Sequence, residues 1–228
     1  MGLPLIWIIF GVFALLSWLV SAQLKSRFKK YSAIPVNYGL TGKDVAEKML
    51  AENGIRDVQV KSVEGELTDH YNPATKTVNL SRAVFYGNNV AAAAVAAHEC
   101  GHAVQHARAY AWLTMRSSLV PVVSFASKWV QWVLLAGIIL LNSFPQLLLT
   151  GVILFGCTTL FSFITLPVEI NASQRALSWL STAGITSYAT YPKAQSALKW
   201  AAYTYVIAAL SSLATLIYYL IIYLGRRD

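Results

Sequence analysis

Charge is what this sequence has least of. Lys, Arg, Asp and Glu make up 12% of its 228 residues, against about a quarter in an ordinary soluble domain. That scarcity excludes both a soluble cytosolic globule and an intrinsically disordered chain. Cysteine is nearly absent as well. Cys100 and Cys157 are the two present, which excludes a disulfide-stapled secreted scaffold and fits a reducing compartment or simple burial. Acidic residues number ten against eighteen Lys and Arg, for a net charge of +8. In a chain that is 56% hydrophobic, with mean hydropathy +0.51, this excess marks the cytoplasmic loops of an integral membrane protein. A nucleic-acid partner is not expected.

Long apolar runs are what the sequence has in abundance. A roughly 30 Å hydrocarbon layer takes about 20 apolar helical residues, and Leu3 to Leu24 is an uncharged run of that length. Basic residues follow it, at Lys25, Arg27, Lys29 and Lys30, whereas a signal peptide carries them in front. The run reads as a retained anchor. From Trp129 to Val168 there is no charged residue, and Asn142-Ser143-Phe144-Pro145 breaks this stretch into two antiparallel spans. The first of these is expected to begin near Leu119, with Lys128 buried or snorkelling. A fourth run, Trp200 to Leu224, carries interfacial tyrosines such as Tyr203 and Tyr223 near its ends. Residues 25–116 hold twelve of the eighteen basic residues and residues 169–199 three more. Four spans place both segments on one side, the cytoplasm by the charge rule, with Arg226 and Arg227 as exceptions.

Between the first two spans lies the one stretch fit for an extramembrane fold. Thr41 with Asp44 forms a capping box, Val45, Met49 and Leu50 share an apolar helical face, and Asn53-Gly54 stops that helix. Val58, Val60 and Val63 suggest a strand. Asn72-Pro73-Ala74-Thr75 reads as a turn, and Thr77-Val78-Asn79-Leu80 alternates like a second, half-exposed strand. Asn88 or Asn89 then caps a long helix opening with Ala91 to Ala97.

That helix carries His98-Glu99-Cys100-Gly101-His102. Residues four apart lie on one helical face, so His98 and His102 can present their imidazoles to one metal ion. Glu99 is rotated by about 100°, beside the metal, where it can take a proton from an activated water and pass it to a leaving amine. Flanking alanines argue against a merely solvated face. Cys100 diverges from both histidines and reads as a packing residue.

Zinc needs a third protein ligand and an open position. His106 lies about 12 Å along the helix from His98, too far to share an ion bound at about 2.1 Å. After Glu99 the acidic residues are Glu169 and the terminal Asp228. Glu169 follows Pro167 at the membrane edge, where a carboxylate is costly unless paired or bound to metal. It is the candidate ligand, the alternatives being an ordinary interfacial glutamate or one paired with Arg175. His70 could donate to an oxyanion or be a plain loop histidine.

These residues resemble the YugP-type neutral zinc metallopeptidases, small integral-membrane proteins of the two-His-plus-Glu class. The resemblance covers nearly the whole chain: the anchor, Asp69-His70-Tyr71-Asn72-Pro73, Lys76 to Ser81, the His98–His102 motif and Pro167-Val168-Glu169. It implies a membrane zinc endopeptidase with His98, His102 and Glu169 as metal ligands and Glu99 as base. One position departs from related membrane peptidases. They often carry an aspartate four residues after the ligand glutamate, but this chain has Ser173 there, with Asn171 nearby, so which group orients a ligand histidine is left open.

The expected architecture is mainly α, a four-span transmembrane helical bundle with a small α+β zincin-like cytoplasmic portion carrying the motif helix. Its parts are an anchor (1–24), the zincin-like portion (25–116), a transmembrane hairpin (117–168), a cytoplasmic helical segment with the third ligand (169–199) and a C-terminal span (200–228). The expected activity is a cell-membrane metalloendopeptidase using one Zn2+ ion. It would act on membrane or membrane-proximal polypeptides and contact the lipid bilayer. A metal-ion transporter and a non-catalytic zinc scaffold are the rivals. Bare spans argue against the first, and Glu99 has no use in the second. Residues 76–81 are expected to offer a free strand edge to which an extended substrate could add.

Overall fold

The computed structural model describes residues 4–225; Leu3, Arg226, Arg227 and Asp228 lie outside the described residues. The protein is mainly helical. In chain order its helices are α1 (Pro4–Tyr31), α2 (Gly42–Glu52), α3 (Arg82–Phe85), α4 (Val90–Ala107), α5 (Ala111–Ile139), α6 (Pro145–Thr182) and α7 (Tyr191–Leu224). Among the described residues, three strands, β1 (Gln59–Val63), β2 (His70–Asn72) and β3 (Thr77–Ser81), form one sheet. Among the described residues, four helices are long and apolar enough to cross a membrane: Leu5–Tyr31, α5, α6 and α7.

The long helices exceed the uncharged runs that reveal them. α5 begins at Ala111 rather than near Leu119, α7 begins ahead of Trp200, and α6 continues unbroken past Val168. Helical hydrogen bonding does not stop where charge appears, and a proline such as Pro167 within α6 costs one backbone bond that a long membrane helix can absorb. Lys128 is exposed on α5, not buried.

The chain forms two compact units. One consists of α1 up to Leu19, Met115 to Leu166, and the chain from Thr204 onward. Here α5 and α6 make an antiparallel hairpin, its turn closed by Phe144 N–H donating to the Leu140 carbonyl at 2.7 Å. Val130, Leu134, Leu148 and Val152 form its core, with Leu216 and Tyr219 of α7 packed against them. Gly137 permits close approach, since a Cβ there would lie 2.6 Å from Leu148 Cα.

The other unit comprises Val20–Thr114 and Pro167–Tyr203. Its α2 starts with the capping box, Asp44 N–H donating to Thr41 Oγ1 (3.2 Å) and Thr41 N–H to Asp44 Oδ2 (2.9 Å). Val45, Met49 and Leu50 bury the apolar face, and Asn53 caps the end. Asn89 caps α4, its Oδ1 accepting from Ala92 N–H at 2.9 Å. Such caps satisfy otherwise orphaned donors and are worth about 1 kcal/mol each.

The sheet overturns one expectation. Strand order is β1-β3-β2, with β1 parallel and β2 antiparallel to β3. β3 is therefore central, has protein strands on both sides, and offers no edge to a substrate. All five of its residues are buried, so it is not half-exposed either. The polar positions mislead because they are satisfied internally. Asn79 Nδ2 donates to Thr77 Oγ1 (3.0 Å), Thr75 and Thr77 share a hydroxyl bond (2.8 Å), and Ser81 N–H and hydroxyl bond Asp69 (2.7 and 3.1 Å). The third strand, β2, lies where the sequence shows only three residues between a loop and a turn.

Candidate active site

α4 is built to be enclosed. Ala91, Ala92, Ala93, Ala94, Ala96 and Ala97 are buried, and alanine combines the highest helix propensity with no bulk. α2, α3, β2 and β3 all pack against it. At Gly101 α6 comes close: a Cβ there would stand 2.6 Å from the Ala172 carbonyl oxygen and 3.1 Å from Ala172 Cα. That missing side chain lets the motif helix sit against the turn of α6 that carries Glu169.

His98 and His102 project from one face of α4, their ring centroids 4.8 Å apart and nearly perpendicular at 83°. Glu169, 3% exposed, meets them from α6. Its Oε2 lies 3.3 Å from His98 Nε2 and 3.5 Å from His102 Nε2. One donor atom from each of the three residues lies within 4.8 Å of the others.

Hydrogen bonds on the far side of the rings decide what the near side can bind. Gln105 Nε2 donates to the Val168 carbonyl at 2.8 Å, which can only accept. Gln105 Oε1 therefore faces His102 Nδ1, at 3.0 Å, and must receive that ring's proton. His102 Nε2 is left as a lone pair aimed at a carboxylate, an arrangement that calls for a positive charge between them. Two imidazole nitrogens and one carboxylate are a set that suits zinc with a coordination position left open. Ser173 Oγ stands 3.1 Å from His98 Nδ1, a hydroxyl that can donate or accept. Burial alone would push the His102 pKa down, but Glu169, which accepts from Nε2 only once the ring is protonated, and the charge of Glu99 lift it above the usual value. The same negative field favours any cation there.

Glu99 is buried beside this trio. Its Oε2 accepts from Tyr71 N–H of β2 at 3.0 Å, so one carboxylate oxygen is pinned to the sheet. The other sequence candidates are placed elsewhere. His106 Nδ1 bonds Tyr71 Oη at 2.8 Å. His70 Nδ1 lies 2.8 Å from the Thr68 carbonyl and its Nε2 3.2 Å from Asn79 Nδ2, so its ring proton and lone pair are both engaged within the sheet region. Cys100 is fully buried, burial pushes its thiol pKa up, and its Sγ–H faces the Ala46 carbonyl at 3.5 Å; a protonated thiol is no metal ligand. Gln105 and the Tyr71 amide were not singled out by sequence. A glutamine three residues beyond His102 is the one signal that could have found the first. Nothing local marks the second.

The family described as "Putative neutral zinc metallopeptidase" matches residues 6–224, and the chain belongs to it. A curated protein of Bacillus subtilis (strain 168), named "Putative membrane protease YugP", is 42% identical over 213 residues, covering 93% of this chain and 94% of that protein. No solved structure matches. Family membership implies zinc, and the relative's name with the four apolar helices makes this a multi-pass membrane protein.

Proposed function

We propose that this chain is a membrane-embedded zinc-dependent endopeptidase, with one zinc ion held by His98, His102 and Glu169 and with Glu99 as general base. The observation that carries it is the convergence of His98 Nε2, His102 Nε2 and Glu169 Oε2, with an unligated buried carboxylate one residue from the first histidine. Zinc held there would supply Lewis acidity, enough to polarise a scissile carbonyl and to lower the pKa of a water to about 7. Glu99 accepts the proton of that water and returns it to the leaving amine. Tyr71 N–H holds Glu99 Oε2 at 3.0 Å and so orients the carboxylate for this transfer.

The zincin-like portion, residues 25–116, and the segment 169–199 face the cytoplasm in this reading, since they hold most of the basic residues. Segments 1–24, 117–168 and 200–228 are the membrane parts. Substrates are membrane or membrane-proximal polypeptides. Cysteines introduced at Lys61 and Ser187 should be labelled only from the cytoplasm and one at Ser143 only from outside; opposite labelling of the first two would break the topology.

The test of function is casein or peptide cleavage by the purified full-length protein and its Glu99→Gln variant, with metal analysis of both. Glu99→Gln should retain zinc and lose cleavage by about a thousandfold or more, because an amide cannot accept the proton. Near-normal turnover of a zinc-loaded Glu99→Gln protein would contradict the mechanism. Zinc flux into liposomes without cleavage would instead select the transporter.

A further inference from the structure

Gln105 is 0% exposed, and burying an amide that completely is costly unless its polar atoms are bonded. They are: Oε1 accepts from His102 Nδ1 (3.0 Å), while Nε2 donates to the Val168 carbonyl (2.8 Å) and to Asn171 Oδ1 (3.0 Å). Asn171 is held in turn by Arg175 Nε at 2.7 Å, and the Arg175 guanidinium lies over the Tyr110 ring, 5.9 Å from its centroid. One side chain thus runs from a ring on α4 to residues on both sides of Glu169 on α6. We propose that Gln105 is a positioning residue for the metal site, setting the tautomer and rotation of His102 so that its Nε2 faces Glu169. This rests on the reading of His98, His102 and Glu169 as the ligands.

An imidazole ligates through a bare nitrogen, yet its χ2 is soft and both neutral tautomers are accessible to a free ring. Ser173 cannot dictate the tautomer of His98, because a hydroxyl serves equally as donor and acceptor. Gln105 can dictate that of His102, because the Val168 carbonyl decides which way the amide points. The two histidines are therefore unlike: His102 is preset, and His98 adapts. Position 173 faces His98, and the orienting partner of His102 is Gln105.

A merely structural role, bracing α4 against α6, would make zinc affinity follow fold stability. Full-length protein in detergent can separate the two, with zinc affinity read by chelator competition and stability by the melting temperature of the metal-free form. Gln105→Met keeps the length and removes the acceptor. Gln105→Glu keeps an acceptor for His102 but sets its other oxygen against the Val168 and Asn171 oxygens, destroying the brace. Positioning predicts a 10–100-fold loss of zinc affinity in Gln105→Met, the usual worth of a ligand histidine's partner, and a loss within about threefold in Gln105→Glu despite its lower melting temperature. Equal losses in both variants, or unchanged affinity in Gln105→Met, would overturn the proposal. Should Gln105→Met not fold, the histidine 15N signals of the metal-free wild-type protein decide the matter: a neutral His102 ring protonated at Nδ1 is expected, and one protonated at Nε2 would overturn the proposal. A wild-type protein that takes up no zinc would sink the ligand reading itself, an outcome distinct from these.

Discussion

The two compact units use the same helical backbone for opposite purposes. In the unit built from Met115 to Leu166 and the chain ends, large apolar side chains face outward, among them Phe125, Trp132 and Ile139, as suits a lipid solvent. Its buried polar contacts are few and generic, such as Thr159 Oγ1 to Ser212 Oγ at 2.7 Å. In the unit containing α4 the arrangement is inverted. Small residues line the enclosed helix, and Glu99, His102, Gln105 and Glu169 are buried with specific partners. The first unit asks mainly for length and hydropathy, with close packing at points such as Gly137. The second depends on individual atoms, because a buried charge or amide is stable only with its own partner.

Substitutions should expose that difference. The largest effect is expected at Gly101, where the Cβ of Gly101→Ala would press to 2.6 Å from the Ala172 carbonyl. Backbone cannot yield as a side-chain end can, so overpacking should cost about 1–3 kcal/mol. It should also push α6 from α4 and cut zinc content and cleavage together. A fully active, zinc-loaded Gly101→Ala protein would show that the close approach is not needed. Asn89→Ala removes the α4 cap and should lower stability by about 1 kcal/mol, read as a shift in the denaturation midpoint. Thr159→Val, in the other unit, should cost about 0.6 kcal/mol, the average for such interhelical bonds in a bilayer. Replacing the exposed Phe125 by Leu should change neither stability nor cleavage measurably. If Thr159→Val proved costlier than Asn89→Ala, the contrast between the units would fail.

What the sequence reveals follows the same division. Spans are legible because hydropathy accumulates over some twenty neighbours, and the capping box at Thr41 and Asp44 because all its partners lie within one turn. The i, i+4 spacing of His98 and His102 is likewise local. Helix limits are not legible, since α6 and α7 extend well past their uncharged runs. β3 is misread because Thr77 and Asn79 look like solvent-facing positions while their bonds lie inside the fold. Gln105 is only half legible for a related reason: His102 is three residues away, but its partners Val168 and Asn171 are 63 and 66 residues away. Sequence pattern shows which residues can act, and only tertiary contact shows which residues hold them.

The central claim is that two histidines of α4 and one glutamate of α6 hold a single zinc ion. Metal analysis of the purified full-length protein beside Glu169→Ala tests it most directly. The expected result is one zinc ion per wild-type chain and strongly reduced zinc in Glu169→Ala, since two protein ligands hold zinc poorly. Full zinc occupancy with unchanged affinity in Glu169→Ala would contradict it.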